Sequence, residues 1–288
     1  MLAASRWKWA TLAPALLVYG LLALLPIVNL AVMSVHDIRW EQGRAFWTFV
    51  GGSHFRALAD DELLIKGLAN TSLFALLAVG AEMLLGFFLA VLVSGVARGR
   101  VFYQTALMMP ILLPGIVIGA IWKLMYNPDF GVINAVLGAF GLAGRDWLGD
   151  PSLAFLSVVV VDVWHWTPFV FLLLLAALES LPAELYEAAR VDGASRWQEL
   201  TRITLPLMWP AIVVTMVFRL IVSFKVFDEV YLLTGGGPGT TTEVLSFTVY
   251  RRFFTEDRVG YGSAVSILAV FLVTLMVVVS LAAGRRRR

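Results

Sequence analysis

Long apolar runs separated by short polar intervals set the plan of this chain. A helix needs about 20 mostly apolar residues to cross the hydrocarbon core of a bilayer. Six runs reach that length, at 10–33, 67–94, 101–126, 153–178, 207–233 and 262–283. Each predicts a spanning helix. The prolines and glycines inside several runs are tolerable where neighbouring helices enclose the freed backbone groups. The expected fold is an all-α integral membrane bundle of six transmembrane helices. Residues 1–66 supply the first helix and an external loop, and 67–288 supply a core of five helices.

One polar interval is longer and more patterned than a linker requires. It reads EAARVDGASRWQELTRITLP, from Glu187 to Pro206. Pro182 suits the first turn of a helix. The stretch AELYEAARV that follows is rich in strong helix formers, with Glu184 and Glu187 where the helix dipole favours acids. Gly193 breaks that helix. Ser195 and Gln198 have the three-residue spacing of a capping box. The second helix is expected to run through Leu200 and Ile203 and to stop near Pro206. From the residues alone, this hairpin is either an interfacial link between two spans or a knob that a partner grips.

Composition agrees with a membrane chain. Of the 288 residues 60% are hydrophobic and 15% are charged, with a mean hydropathy of +0.84. That leaves too little polar surface to cover a soluble globule. A net charge of +2 gives no broad basic face for nucleic acid. There is no cysteine, which excludes disulfides and thiolate chemistry. His36, His54 and His165 match no metal-ligand spacing. No G-x-x-x-x-G-K-[ST] phosphate loop occurs, and TGGGPGTTT (234–242) lacks its lysine. The basic, then apolar, start resembles a signal peptide. Its apolar run is long enough to span and no small-residue cleavage site closes it, so it is read as a retained first helix.

Basic residues set the expected orientation. Arg6 and Lys8, then Arg98 and Arg100, then Arg190, Arg196 and Arg202, and finally Arg285–Arg288 fall on one side of a six-span chain. That side is expected to be the cytoplasm, with both termini there.

Two faces carry candidate chemistry. Asp162, His165, Trp166 and Phe169 recur at i, i+3, i+4 and i+7, so they share one side of the fourth span. Charged and imidazole groups are costly toward lipid, and the face should turn to the bundle interior or to a watery cavity. It suits either a packed interface or a sugar, whose ring stacks on aromatics while its hydroxyls hydrogen-bond. Arg219, Val222, Ser223 and Val226 form a second stripe in the fifth span. A buried arginine needs a partner. Asp162, Glu82, a second subunit and an anionic substrate group are all open to it. Lys225 is spaced to pair with Asp228 or Glu229. Pro110 and Pro114 are expected to kink the third span. The glycines of LLTGGGPGTTT suit either a reaching external loop or an ordinary turn.

Glu187-Ala188-Ala189, then Gly193, Ile203 and Leu205-Pro206, has the spacing of the EAA loop of ABC importer permeases, and the chain resembles that family. NPDFGVINAVL (127–137), VWHWTPFVFLLLLAALESLP (163–182) and FKVFDEVYLLTGGGP (224–238) are similar to its carbohydrate branch, maltose-type importers with the MetI-like fold. The resemblance runs from about residue 68 to the end. It implies a multi-pass permease of a bacterial inner membrane that forms half of a sugar path. The implied partners are a second homologous permease, two ATPase subunits and an external solute-binding protein. ATP and Mg would be held by the ATPases, and this chain would bind no cofactor and perform no catalysis. Glu187, Ala188, Ala189 and Gly193 would form the ATPase-coupling contact. Sugar contacts would fall at Gly115, His165, Trp166, Phe169, Arg219, Val222, Ser223 and Val226. Arg219 and Val226 depart from small or amide polar residues of the maltose-type proteins, and Gly115 from a hydroxyl. The same architecture importing a polyol, a glycerol phosphodiester or a sulfonated sugar is the alternative, and an intramembrane enzyme is the reading from a different class.

Overall fold

The computed structural model describes residues 2–95 and 98–285. The basic residues Arg286–Arg288 lie outside the described residues, as do the side chains of Arg6, Lys8 and Arg285. The chain divides into two compact units, residues 1–65 with 248–274, and residues 66–247 with 275–288.

Helix α1 (Leu2–Ser34) leads into a two-stranded hairpin, β1 (His36–Glu41) and β2 (Arg44–Phe49). The strands pair antiparallel with Glu41 opposite Arg44. Gln42 and Gly43, both with positive φ, make the two-residue turn that matches strand twist. Helix α2 (Ser53–Ala57) follows. Helix α3 (Glu62–Ser94) opens after Asp61, whose Oδ1 accepts from the backbone N–H groups of Leu63 and Leu64 at 3.0 and 3.1 Å. The same carboxylate takes the Arg252 fork, with Nη2 at 2.7 Å from Oδ1, and the Tyr261 hydroxyl at 2.7 Å.

Burial alone would raise the Asp61 carboxyl. Hydrogen bonds from Arg252 and Tyr261 outweigh it and hold the group below its ordinary value of 3.8. A lowered carboxylate stabilises the fold at pH above its ordinary value, and that gain is lost as pH falls through the lowered one. The melting-temperature gap between wild type and Asp61→Asn should therefore stay constant down to about pH 4 and shrink below it. A gap that does not change with pH would refute this account.

In the second unit, α4 (Arg100–Met108) and α5 (Gly115–Met125) replace the single third span that the apolar run predicts. A 3-10 turn at Pro110–Leu112 and extended residues Leu113 and Pro114 separate them. The prolines remove backbone donors, and Pro114 holds the preceding Leu113 out of the helical region, at φ −86° and ψ 135°, so the span breaks where a kink was expected. Helix α6 (Val132–Ala139) lies in the following loop. Asn134 organises that loop by bonding the backbone of Arg145 and the Trp147 indole. Helix α7 (Pro151–Glu179) starts at an Asp150 cap with Pro151 in its first turn. The coupling candidate forms α8 (Ala183–Val191) and α9 (Arg196–Glu199). Helix α10 (Leu205–Ser223) is followed by α11 (Asp228–Leu233), α12 (Leu245–Tyr250) and α13 (Val259–Arg285).

Among the described residues, five helical stretches are long and apolar enough to cross a membrane: Thr11–Ser34, Glu62–Ser94, Pro151–Glu179, Arg196–Ser223 and Val259–Ser280. Apart from the one hairpin, the described residues carry helices and loops, as an all-α bundle requires. Ala90, Val93, Val170, Phe171, Leu174, Leu175 and Met208 make a dry core among α3, α7 and α10. Arg100 pairs with Glu179, which brings the start of α4 to the end of α7. At the opposite end of α3, Asn70 Nδ2 donates to the carbonyls of Thr240, Thr241 and Glu243 at 3.1, 3.0 and 2.8 Å. Thr71 Oγ1 accepts from the Leu245 N–H at 2.8 Å. The glycine-rich segment is therefore tied down onto α3, with Thr242 and Glu243 buried.

Candidate functional site

The stripe predicted on the fourth span is present on α7. Asp162 and His165 are buried, and Trp166 and Phe169 are half-buried. The rings form a chain: His165 to Trp166 at 5.1 Å, Trp166 to Phe169 at 6.0 Å, and Phe169 to Phe218 of α10 at 5.0 Å between centroids. Phe218 escaped the sequence reading. Its position one residue before Arg219 was the available signal.

Arg219 projects from α10 and is fully buried. Its Nε donates to Glu82 Oε2 at 2.5 Å, and Nη2 donates to Glu82 Oε1 at 2.7 Å and to Asp162 Oδ2 at 3.0 Å. Of the partners open to it, Glu82 of α3 and Asp162 of α7 hold it within the chain. Its guanidinium also lies 4.5 Å from the Trp166 ring centroid, a cation–π arrangement. Ser223 is buried one turn further along. Arg219 Nη1 and Ser223 Oγ have no hydrogen-bond partner in the structure. Buried polar groups are normally satisfied, so two unsatisfied atoms one turn apart mark this stripe as unusual.

The stripe ends earlier than the spacing implied. Helix α10 stops at Ser223, and Phe227, at φ −142° and ψ −56°, is not helical. Val222 remains on the helix, half-buried. Val226 lies past its end, so it does not belong to the helical stripe, although it is buried. The expected local pairing of Lys225 with Asp228 or Glu229 also fails. The break between α10 and α11 removes the i, i+3 and i, i+4 relation. Lys225 has no ion pair with either acid. Glu229 instead lies 3.1 Å from His165 Nδ1, and both are buried.

Gly115 opens α5 directly beneath α11. A Cβ there would lie 2.8 Å from Asp228 Oδ2 and 3.2 Å from Asp228 Cβ, so a larger residue would have to displace the Asp228 side chain. Asp228 and Glu229 thus bring Gly115 and His165 to the two sides of one short helix. A cavity of about 230 Å³ elsewhere is lined by Trp122, Tyr126 and Trp147 among others. No expected sugar contact lines it. The Tyr126 hydroxyl is bonded to the Ser157 carbonyl and the Trp147 N–H to Asn134, which leaves mainly ring faces toward it.

The polar hairpin folds by the local rules that its residues state. Gly193 has φ +77°. The N–H of Ala194 bonds the Ala189 carbonyl at 2.8 Å and that of Gly193 bonds the Arg190 carbonyl at 3.1 Å. These are the two bonds of a Schellman ending. Ser195 and Gln198 form the reciprocal capping box, and Arg190 Nε donates to Glu199 Oε1 at 3.2 Å across the hairpin. Glu187 and Ala188 are exposed, Ala189 is half-buried, and Val191 and Trp197 are exposed at 87% and 71%. Two large apolar side chains this open beside an exposed acid suit a docking surface.

Pro206 does not end the second helix. A π-helical turn, Leu200–Thr204, carries it into α10, with the Leu205 N–H bonded to the Leu200 carbonyl. The wider register absorbs the missing proline donor, a known use of π-bulges.

The description "binding-protein-dependent transport system inner membrane component" matches residues 82–287. Across 99% of this chain and 95% of its own length, the trehalose/maltose transport system permease protein MalF of Thermococcus litoralis is 37% identical. A bacterial ABC transporter involved in the import of the acidic polysaccharide alginate superposes with a TM-score of 0.86 at 27% identity. The match covers 99% of this chain and 96% of that one. A bacterial alginate ABC transporter in complex with alginate pentasaccharide-bound periplasmic protein gives 0.85 at 26%, over 99% and 96%. With its apolar helices and EAA hairpin, the chain belongs to the binding-protein-dependent ABC importer permeases.

Proposed function

We propose that this chain forms half of the translocation path of an ATP-driven sugar importer. The observation that carries the reading is the stripe of His165, Trp166 and Phe169 against Arg219 and Ser223. Aromatic faces and unsatisfied polar atoms meet there, inside the apolar bundle. A sugar asks for that combination, stacking by its ring and hydrogen bonding by its hydroxyls. The trehalose/maltose relative supports carbohydrate as the cargo class. The family description and the alginate complex support a solute-binding protein as the external partner.

A second homologous permease would close the path. Two ATPase subunits would grip the hairpin at Glu187, Ala188, Ala189 and Gly193 and drive alternating access. The hairpin side would face the cytoplasm of a bacterial cell, together with both termini. This chain would contribute no catalytic group and bind no cofactor of its own.

Uptake kinetics test the path. Trp166→Ala and Ser223→Ala are each expected to weaken apparent sugar affinity by about tenfold, the scale of one lost stacking or buried hydrogen-bond contact. Both variants should retain the wild-type melting temperature to within a few degrees. Unchanged affinity in both would remove these residues from the path.

A further inference from the structure

Arg219 is the buried cation of the stripe, and by itself it would suit an anionic sugar. Its fork is already occupied. Three of its donor contacts go to Glu82 and Asp162, and all three residues are at most 2% exposed. A third carboxylate, Glu229, lies against His165, one turn beyond Asp162 on α7. The cluster sets one guanidinium and one imidazole against three carboxylates. Lys225, beyond the end of α10, is exposed, where solvent and salt screen its charge.

From this charge arrangement we infer that the solute carried past this stripe is uncharged, a neutral polyhydroxylated sugar and not a uronate or sulfonate. The inference rests on reading the stripe as the translocation path. Carboxylate recognition by arginine takes two parallel N–H donors. Arg219 has spent that geometry on Glu82. An incoming anion would find that fork closed, with carboxyl groups around it in place of a free cation, inside a bundle that is costly for unpaired charge. What remains is one unsatisfied amino group, Nη1, and the Ser223 hydroxyl. A neutral sugar hydroxyl accepts from one and donates to the other without bringing charge. The likeness to an alginate importer leaves this open, because backbone similarity at 27% identity does not carry the side-chain charges of the path.

Cells expressing the complete importer, with its ATPases and binding protein, are given an equimolar mixture. It holds neutral di- and oligosaccharides, uronate-containing oligosaccharides of equal length, and a sulfonated glycoside. Depletion of each species is followed by mass spectrometry against cells lacking this permease. Neutral sugars should disappear, and every acidic species should be taken up at least about tenfold more slowly. An acidic species depleted as fast as the neutral ones overturns the inference. Trp166→Ala and Ser223→Ala separate it from the reading beneath it. Acidic uptake that these variants slow leaves the path in place and refutes only the neutral preference. Neutral uptake that neither variant changes refutes the path itself. Depletion of no sugar overturns both.

Discussion

Arg219→Met is expected to prevent a stable permease from accumulating. The substitution leaves Glu82 and Asp162 facing each other's charge at 0% and 2% exposure, with the shared cation gone. Removing one partner of a buried ion pair costs about 3–5 kcal/mol, because the abandoned charge stays desolvated. That is a large share of a typical domain's stability. The loss comes from the unpaired acids rather than from the arginine's absence, and this gives the control. Arg219→Met combined with Glu82→Gln and Asp162→Asn removes all three charges at once and should recover most of the loss in folded yield and melting temperature. Buried ion clusters replaced as a whole are often neutral in stability. A triple variant as unstable as the single one would show that the cluster holds α3, α7 and α10 by shape and not by charge.

Glu187→Ala is expected to lower sugar uptake by at least about tenfold while leaving the melting temperature of the permease unchanged. Glu187 is exposed on α8 and makes no hydrogen bond or ion pair in the structure, so its removal leaves no buried group unsatisfied. Losing a charged contact at a protein interface costs about 2 kcal/mol or more. Gly193→Val tests the shape of the same hairpin. At φ +77° a β-branched residue is strained by about 1–2 kcal/mol, and a shifted turn would misplace α9 and Trp197. Uptake and sugar-stimulated ATP turnover should fall together in both variants. Normal coupling in Glu187→Ala would mean that the hairpin is only a link between α7 and α10.

Local rules and tertiary structure divide this molecule along clear physical lines. The hairpin from Pro182 to Gln198 was legible because its ending and its cap depend on residues at most five positions apart. The spans were legible because bilayer thickness imposes a length on any apolar helix. The β-hairpin was not legible, because Gln42-Gly43 stands where two-residue hairpin turns favour Asn-Gly or Asp-Gly. The α7 stripe followed from the helical repeat, and Val226 failed because its repeat was extended past a helix end that no nearby residue announces.

Three features needed the folded chain. Arg219 and Glu82 are 137 positions apart, and the α3–α7–α10 packing chose this acid, with Asp162, from the partners the chain offers. Glu229 went to His165, 64 positions away, because α10 and α11 do not continue one another. Asn70 ties down the glycine-rich segment from more than 170 positions away. Apolar length, helical repeat and capping chemistry act over one or two turns, so they are written in the order of residues. The choice of one buried charge for another is made by desolvation across the whole bundle, and only the packed helices decide it.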